Sequence, residues 1–412
     1  MAAGASYRKA TGRTARAAAA DIIAEQRTVW GRSADDLRSA LLEWYALHGR
    51  RLPWRESRDA YRIWLSEIML QQTTVAAVIP YFQRFTERYP TVRDLAAASV
   101  DDVLRLWEGL GYYSRARNLH RTAVRIVTEY NGEFPADSQE LQQLPGVGRY
   151  TAGAIASFAF GIPAPIVEAN TQRLYARLMA LEEDIRTTAA VKQLWAFAET
   201  IVSPDHPADF NQAVMDLGAR VCTVTNPVCH QCPLAAQCVA CREQLQQELP
   251  RRGAPQEITP LNELTVVLRR GDQVLVRLRG ADERWTAMWD FPRLEISEQQ
   301  LANVPRGMQR TGKGKALAAS LFAGDQEPLD ENLAERIQQQ CGILPGVPEE
   351  SLKRNYSVTR YRVQMLAIVC AVSGRLKRSL PNGYCWKSLP ELTELPMPRT
   401  GRQIVEWLQR RV

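Results

Sequence analysis

Across 412 residues no apolar run approaches the roughly 20 residues of a membrane-spanning helix, which argues against an integral helical membrane protein. A secretory apolar core is also missing, so the eight cysteines are expected to sit in a reducing compartment and need not form disulfides. No internal repeat is visible. What is present is a hydrophobic share of 45% with 24% charged residues, the composition of a soluble globular protein. The length exceeds one ordinary core and asks for two domains. A net charge of +7 favours a polyanionic partner. Arg8, Lys9, Arg13 and Arg16 precede the first acid, Asp21. Residues 1–32 therefore read as a disordered basic arm, with an organelle-targeting segment as the alternative.

From Ser33 the texture turns helical, with a capping-box-like Ser33-x-x-Asp36 and an apolar stripe at Leu37, Leu41, Trp44, Tyr45 and His48. It stays helical to about residue 245. Ser99, for example, is placed to cap a helix whose face is Val103, Leu106, Trp107 and Leu110, stopped by Gly111. Prolines, a glycine and the loss of apolar period mark a linker, taken as 247–262. Beyond it, Leu264 to Leu268 and Gln273 to Leu278 flank Arg-Arg-Gly-Asp as a hairpin, Tyr361 to Ala371 is a strand, and a helix lies near Gly401 to Arg411. The expectation is a helical domain over 33–246 and a smaller α+β domain over 263–412.

The run Leu144-Pro-Gly-Val-Gly-Arg-Tyr150, followed downstream by Glu168, carries the strongest local signal. Ser138 is placed to cap a short helix bearing Leu141 and Leu144, which Pro145 ends. Gly146 and Gly148 are expected to supply backbone conformations closed to other residues and to leave no side chain between the turn and a close ligand. The helix from Tyr150 then starts with unpaired N–H donors and the positive end of its dipole, a site suited to a phosphate diester.

Cys222, Cys229, Cys232 and Cys238 follow C-x6-C-x2-C-x5-C. Four thiolates within one loop can hold a single centre, and zinc usually takes two close pairs across a longer spacer, so an iron-sulfur cluster is the expected occupant. Cys241, Cys341, Cys370 and Cys385 are expected to be free thiols. This spacing after a helix-hairpin-helix resembles the iron-sulfur DNA glycosylases of the endonuclease III and MutY superfamily. The resemblance implies a structural 4Fe-4S cluster that orders a loop facing the DNA backbone, with Arg220 a candidate contact.

Further segments look like the adenine-specific MutY branch. They are Leu52 to Arg55, Trp64 to Thr73, Trp107 to Asn118 and Phe210 to Gly218. With the hairpin and cysteines they cover most of 34–241, including a six-helix module at about 56–160. Glu67 lies in an apolar helix, Ile63 to Leu70, where burial would raise its pKa and let it act as a general acid; the alternative is a solvated or capping glutamate. The resemblance gives Glu67 the protonation of adenine at N7. At Tyr150 bifunctional relatives carry a lysine that forms a Schiff base, and a phenol is no amine, so hydrolysis without strand cleavage is expected. Glu168 stands where the superfamily has an aspartate facing the anomeric carbon; its arm is one methylene longer, and about 1 Å at a reacting centre can cost on the order of a hundredfold. Asn170 matches an asparagine that orients this carboxylate or the catalytic water. Arg55, Leu70, Gln71, Gln72, Thr73, Leu110, Gly111, Tyr112, Gly146 and Gly148 correspond to DNA-binding positions, with Leu110, Tyr112 and the Gln71–Thr73 run opening the duplex so that the base can leave the stack.

The C-terminal residues resemble the Nudix-like domain that MutY proteins use to read 8-oxoguanine, through Trp285 to Pro292. The Glu-rich helix of catalytic Nudix enzymes is replaced by glutamines around Glu335 to Gly342, so no pyrophosphohydrolase activity is expected. In the family's lesion-sensing loop stand Val358, Thr359 and Arg360, of which Thr359 and Arg360 keep hydrogen-bonding capacity. The implied protein is a monomeric, cytoplasmic, nucleoid-associated adenine glycosylase, with no membrane partner, acting on duplexes with 8-oxoguanine:adenine or guanine:adenine mispairs. The alternatives are a thymine or uracil mismatch glycosylase on the same scaffold and a catalytically weak lesion-binding protein.

Overall fold

The computed structural model describes residues 34–254, 257–305, 328–372 and 379–411, so the basic arm and the Ser33 cap lie outside the described residues. Two compact units emerge. The first comprises the described residues up to Ala98 together with Ser114 onward to 254; the second joins Ser99–Tyr113 to residues from 257 onward.

The first unit is helical. Helix α1 spans 34–48. A 3-10 turn at Pro53–Arg55 leads into α2 (Ala60–Leu70), α3 (Val75–Arg88) and α4 (Val92–Ala97). Helix α5 (Val100–Trp107) belongs to the second unit, and the first resumes with α6 (Ser114–Glu129), α7 (Ser138–Gln142) and α8 (Arg149–Phe160). It closes with α9 (Ala169–Met179), α10 (Thr188–Ile201), α11 (Pro207–Arg220) and α12 (Val239–Arg242).

Helix α2 starts where the Asp59 side chain accepts from the Tyr61 N–H, and it is buried on nearly every side through Ile63, Trp64, Leu65, Ile68 and Met69. A helix apolar all round belongs inside a core. Its C-terminal carbonyls would be left without partners. Arg115 satisfies them, donating from Nη1 to the carbonyls of Ile68, Met69 and Gln71 at 2.7, 3.1 and 2.6 Å. That clamp fixes the turn Leu70 to Thr73.

The hairpin forms as a short helix, a turn and a longer helix, with two corrections of detail. Asp137, not Ser138, caps α7, its carboxylate accepting from the N–H groups of Gln139 and Glu140. Both residue types cap well, and aspartate adds a negative charge at the helix N-terminus. Gly146 holds φ +77°, whereas Gly148 is extended at φ −88°, a backbone open to any residue. Glycine at 148 therefore serves clearance: a Cβ there would meet nothing within 4 Å. Helix α6 anchors the turn, Thr122 Oγ1 and Arg125 Nη1 donating to the carbonyls of Pro145 and Gln143.

The second unit is an α+β body around a seven-stranded mixed sheet, as its alternating pattern implied. Strand β1 (Thr259–Arg270) begins inside the segment expected to be linker, because Thr259 to Asn262 pair with Tyr361 to Gln364. β2 (Gln273–Leu278) follows through the two-residue turn Gly271-Asp272, then β3 (Trp289–Asp290) and β4 (Arg293–Ile296). After α13 (Glu298–Asn303) and α14 (Glu331–Cys341) come β5 (Pro348–Val358), β6 (Tyr361–Ala371), β7 (Tyr384–Ser388), α15 (Leu389–Thr393) and α16 (Arg399–Gln409). β1 runs parallel to β6, and the other pairings are antiparallel. Period-two alternation sends Leu264, Val266 and Leu268 toward Leu333, Ile337 and Cys341 of α14, and Val267 toward Ile404, Val405 and Leu408 of α16. In the same unit Glu108 accepts from both Arg402 Nε and Nη2 at 2.8 and 3.0 Å, while Arg402 also binds the carbonyls of Leu392 and Leu395.

Candidate active site

A cleft of about 840 Å³ opens in the helical unit, lined among others by Arg55, Glu67, Leu70 to Thr73, Tyr150, Glu168 and Asn170. These residues come from the end of the 3-10 turn, from α2 and its terminal turn, from the start of α8 and from the start of α9. The cleft thus gathers side chains that the sequence spreads over more than a hundred positions.

Glu67 is 3% exposed. Burial pushes its carboxyl up to about 7, opposed by the Tyr150 hydrogen bond and the Arg55 charge and assisted by the Glu168 charge. The Tyr150 hydroxyl donates to Glu67 Oε2 at 2.5 Å. Burial, then the charges of Glu67 and Glu168, hold the phenol well above its ordinary value, so it stays a donor. A solvated or helix-capping role for Glu67 is ruled out by this burial.

Glu168 is the N-cap of α9: its Oε1 accepts from the Thr171 N–H at 3.0 Å and its backbone N–H donates to Thr171 Oγ1 at 2.7 Å. Asn170 Nδ2 donates to Oε2 at 3.3 Å. Burial raises the Glu168 carboxyl above the usual carboxylate range against the Asn170 and Thr171 backbone bonds. The extra methylene is absorbed by folding the carboxylate back over the helix N-terminus. Arg173 in turn holds Asn170 Oδ1 at 3.0 Å and donates to the carbonyls of Gly218 and Cys222.

Arg55 lines the cleft with its guanidinium bound by both Nη atoms to Asp216 at 3.0 Å, and Arg50 binds the same carboxylate. Asp216 is fully buried. The only local trace of this group in the sequence is an aspartate inside the apolar run Ala-Val-Met-Asp-Leu-Gly. Gln72 holds φ +56° in the turn that ends α2.

The remaining candidates fall elsewhere. Leu110 (buried), Gly111 (φ +74°) and Tyr112 (φ +49°, 48% exposed) form the turn after α5 and belong to the second unit. Thr359 and Arg360 are the two exposed residues at the tip of the β5–β6 hairpin, where Thr359 holds φ +51° and the Arg360 guanidinium lies 5.2 Å from the Tyr361 ring centroid. Arg220 donates to the His48 carbonyl.

Cys222, Cys229, Cys232 and Cys238 line one small cavity, and so does Cys241. Among the described residues no group of three or more His, Cys, Asp or Glu could hold a metal ion as it stands; the thiols surround a space. Burial pushes Cys232 up to about 12 and Cys238 up to about 11. Arg177, buried on α9, places Nη1 3.3 Å from Cys222 Sγ.

A family model described as HhH-GPD superfamily base excision DNA repair protein matches residues 65–199. Human adenine DNA glycosylase is 48% identical over 220 residues, covering 51% of this chain and 40% of the human protein. The adenine DNA glycosylase of Buchnera aphidicola subsp. Schizaphis graminum is 37% identical over 256 residues, 62% of this chain and 74% of that protein. A thermostable thymine-DNA glycosylase structure shows 28% identity with a TM-score of 0.46, covering 52% of this chain and 98% of that one. The chain spans about two fifths of the length of the human, mouse and rat proteins it matches. The helical unit, with its hairpin and buried acid, is of the helix-hairpin-helix base-excision class. Within that class the chain belongs to the adenine DNA glycosylase family.

Proposed function

We propose that this protein hydrolyses the N-glycosidic bond of adenine mispaired with 8-oxoguanine or guanine in double-stranded DNA and leaves the strand unbroken. One observation carries the reading: a buried Glu67, held near neutrality and bonded to the Tyr150 hydroxyl, faces the same cleft as Glu168 and Asn170. A glycosidic bond inside a base stack is shielded, so the adenosine must leave the duplex to reach Glu67. A carboxyl that burial holds up at about 7 has a proton to give at neutral pH. Transfer of that proton to a ring nitrogen lets the C1′–N9 bond break with adenine departing neutral. The cation left on the sugar is stabilised by the Glu168 carboxylate, which its helix cap and Asn170 hold in place. Water then adds at C1′ and gives its proton to a carboxylate. Tyr150 offers no amine, so a Schiff base and strand cleavage do not follow.

The uncapped N-terminus of α8 and the open backbone at Gly148 suit a DNA phosphate. The tip residues Thr359 and Arg360 offer donors to the opposing base. The thiols of Cys222, Cys229, Cys232 and Cys238 fit a 4Fe-4S cluster: soft donors share one cavity, and the Arg177 guanidinium donates to Cys222 Sγ, a hydrogen bond of the kind that orients a sulfur ligand. That cluster would supply a covalent tie across the loop, ordering its backbone.

The test is incubation with a labelled 8-oxoguanine:adenine duplex. The adenine strand should break only after hot alkali, and borohydride should trap no enzyme–DNA adduct. A trapped adduct as the main product would overturn the monofunctional reading.

A further inference from the structure

Cys241 was expected to be a free thiol outside the ligand pattern. In the structure it lines the same cavity as Cys222, Cys229, Cys232 and Cys238. The reason is local. Cys238 is the N-cap of α12, and Cys241 follows three residues later on its first turn, which brings the two side chains to one face. Cys229 opens a 3-10 turn, and its thiol lines the same cavity close to that of Cys241. Both are half-buried, while Cys222 is buried. The spacing is therefore C-x6-C-x2-C-x5-C-x2-C, five sulfurs on one space that four-ligand coordination would use.

Resting on the cluster reading above, we infer that Cys241 is a reserve ligand of the iron-sulfur site, able to take the coordination place of Cys229. Because both sulfurs line one cavity, either can supply the fourth donor there. With the cluster bound, the exchange would replace one thiolate donor by another, so charge and redox state balance and no oxidant or reductant is needed. A site with an exchangeable position keeps its metal when the more accessible ligand is oxidised or alkylated.

The experiment measures iron per chain and visible cluster absorbance in the full-length protein, native and after Cys229→Ser, Cys241→Ser, Cys238→Ser and Cys229→Ser/Cys241→Ser. Native protein and Cys241→Ser should both hold about four irons. Cys229→Ser should hold nearly as many, and the double variant should lose most of them. Equal loss from Cys229→Ser and the double variant overturns the inference. Should Cys229→Ser fail to fold by circular dichroism, chelator stripping decides: Cys241→Ser should lose iron about tenfold faster than native protein, and an unchanged rate overturns the inference. Iron-free native protein would overturn the cluster reading itself, an outcome separate from the others.

Discussion

Replacing Glu67 by glutamine should make the protein more stable at neutral pH while abolishing base release. Glutamine keeps the shape, and its carbonyl can accept the Tyr150 hydroxyl that now donates to Oε2 at 2.5 Å. What it removes is a carboxyl whose ionised form is disfavoured by burial, held at about 7 against an ordinary 4.5. Because the folded pKa is raised, the folded state binds more protons than the unfolded chain between these two values. Native stability is therefore full below pH 4.5, declines as pH rises, and levels off above 7. The gap corresponds to about 3 kcal/mol. Glutamine has no such decline. In thermal unfolding of native and variant protein from pH 4.5 to 8, the curves should coincide at the acid end and separate by roughly 6–12 °C above pH 7. Parallel curves would mean that Glu67 does not titrate near neutrality, and the case for it as the acid would fall.

Other outcomes follow from the same geometry. The single-turnover rate of native protein should fall about tenfold per pH unit above 7, as the acid loses its proton; Tyr150→Phe removes a bond that lowers the Glu67 pKa, so this alkaline limb should move up. Glu168→Asp should change the rate by less than about tenfold, because an aspartate can take the same cap at the start of α9, whereas Glu168→Gln should cost at least about a hundredfold; single-turnover assays measure both, and a large gain in Glu168→Asp would show that the longer arm misplaces the charge. Gly148→Ala should leave the melting temperature nearly unchanged and weaken duplex binding in a salt-dependent way, since its Cβ would meet no protein atom. Gly146→Ala should instead cost about 1–2 kcal/mol, as it forces φ +77° on alanine and brings a Cβ to 2.9 Å from Asn118 Cβ.

Much of the site was legible because its signals are local. An acid inside an apolar helical period implies burial, and Glu67 is buried. The Gly-Val-Gly turn follows from a helix stop and a helix start, and the strand Tyr361 to Ala371 was fixed by its apolar run. What escaped depends on contacts distant in sequence. Asp216 is 161 residues from Arg55, and nothing in the period of α11 says which cation it meets. The parallel pairing of β1 with β6 extended a strand into Pro-containing chain that composition marked as linker. Ser99 to Tyr113 read as one more helix of the first domain, yet it groups with the second unit, where Arg402 grips Glu108. Cys241 lies outside the C-x6-C-x2-C-x5-C spacing, yet one helical turn after Cys238 returns it to the cavity.

The most direct test of the central claim is a single-turnover comparison on three otherwise identical duplexes: adenine opposite 8-oxoguanine, adenine opposite guanine, and thymine opposite guanine. Alkali-dependent cleavage of the adenine strand in the first two, with the thymine strand intact, is the predicted result. Thymine release at a comparable rate, or no base release from any duplex at excess protein, would contradict it.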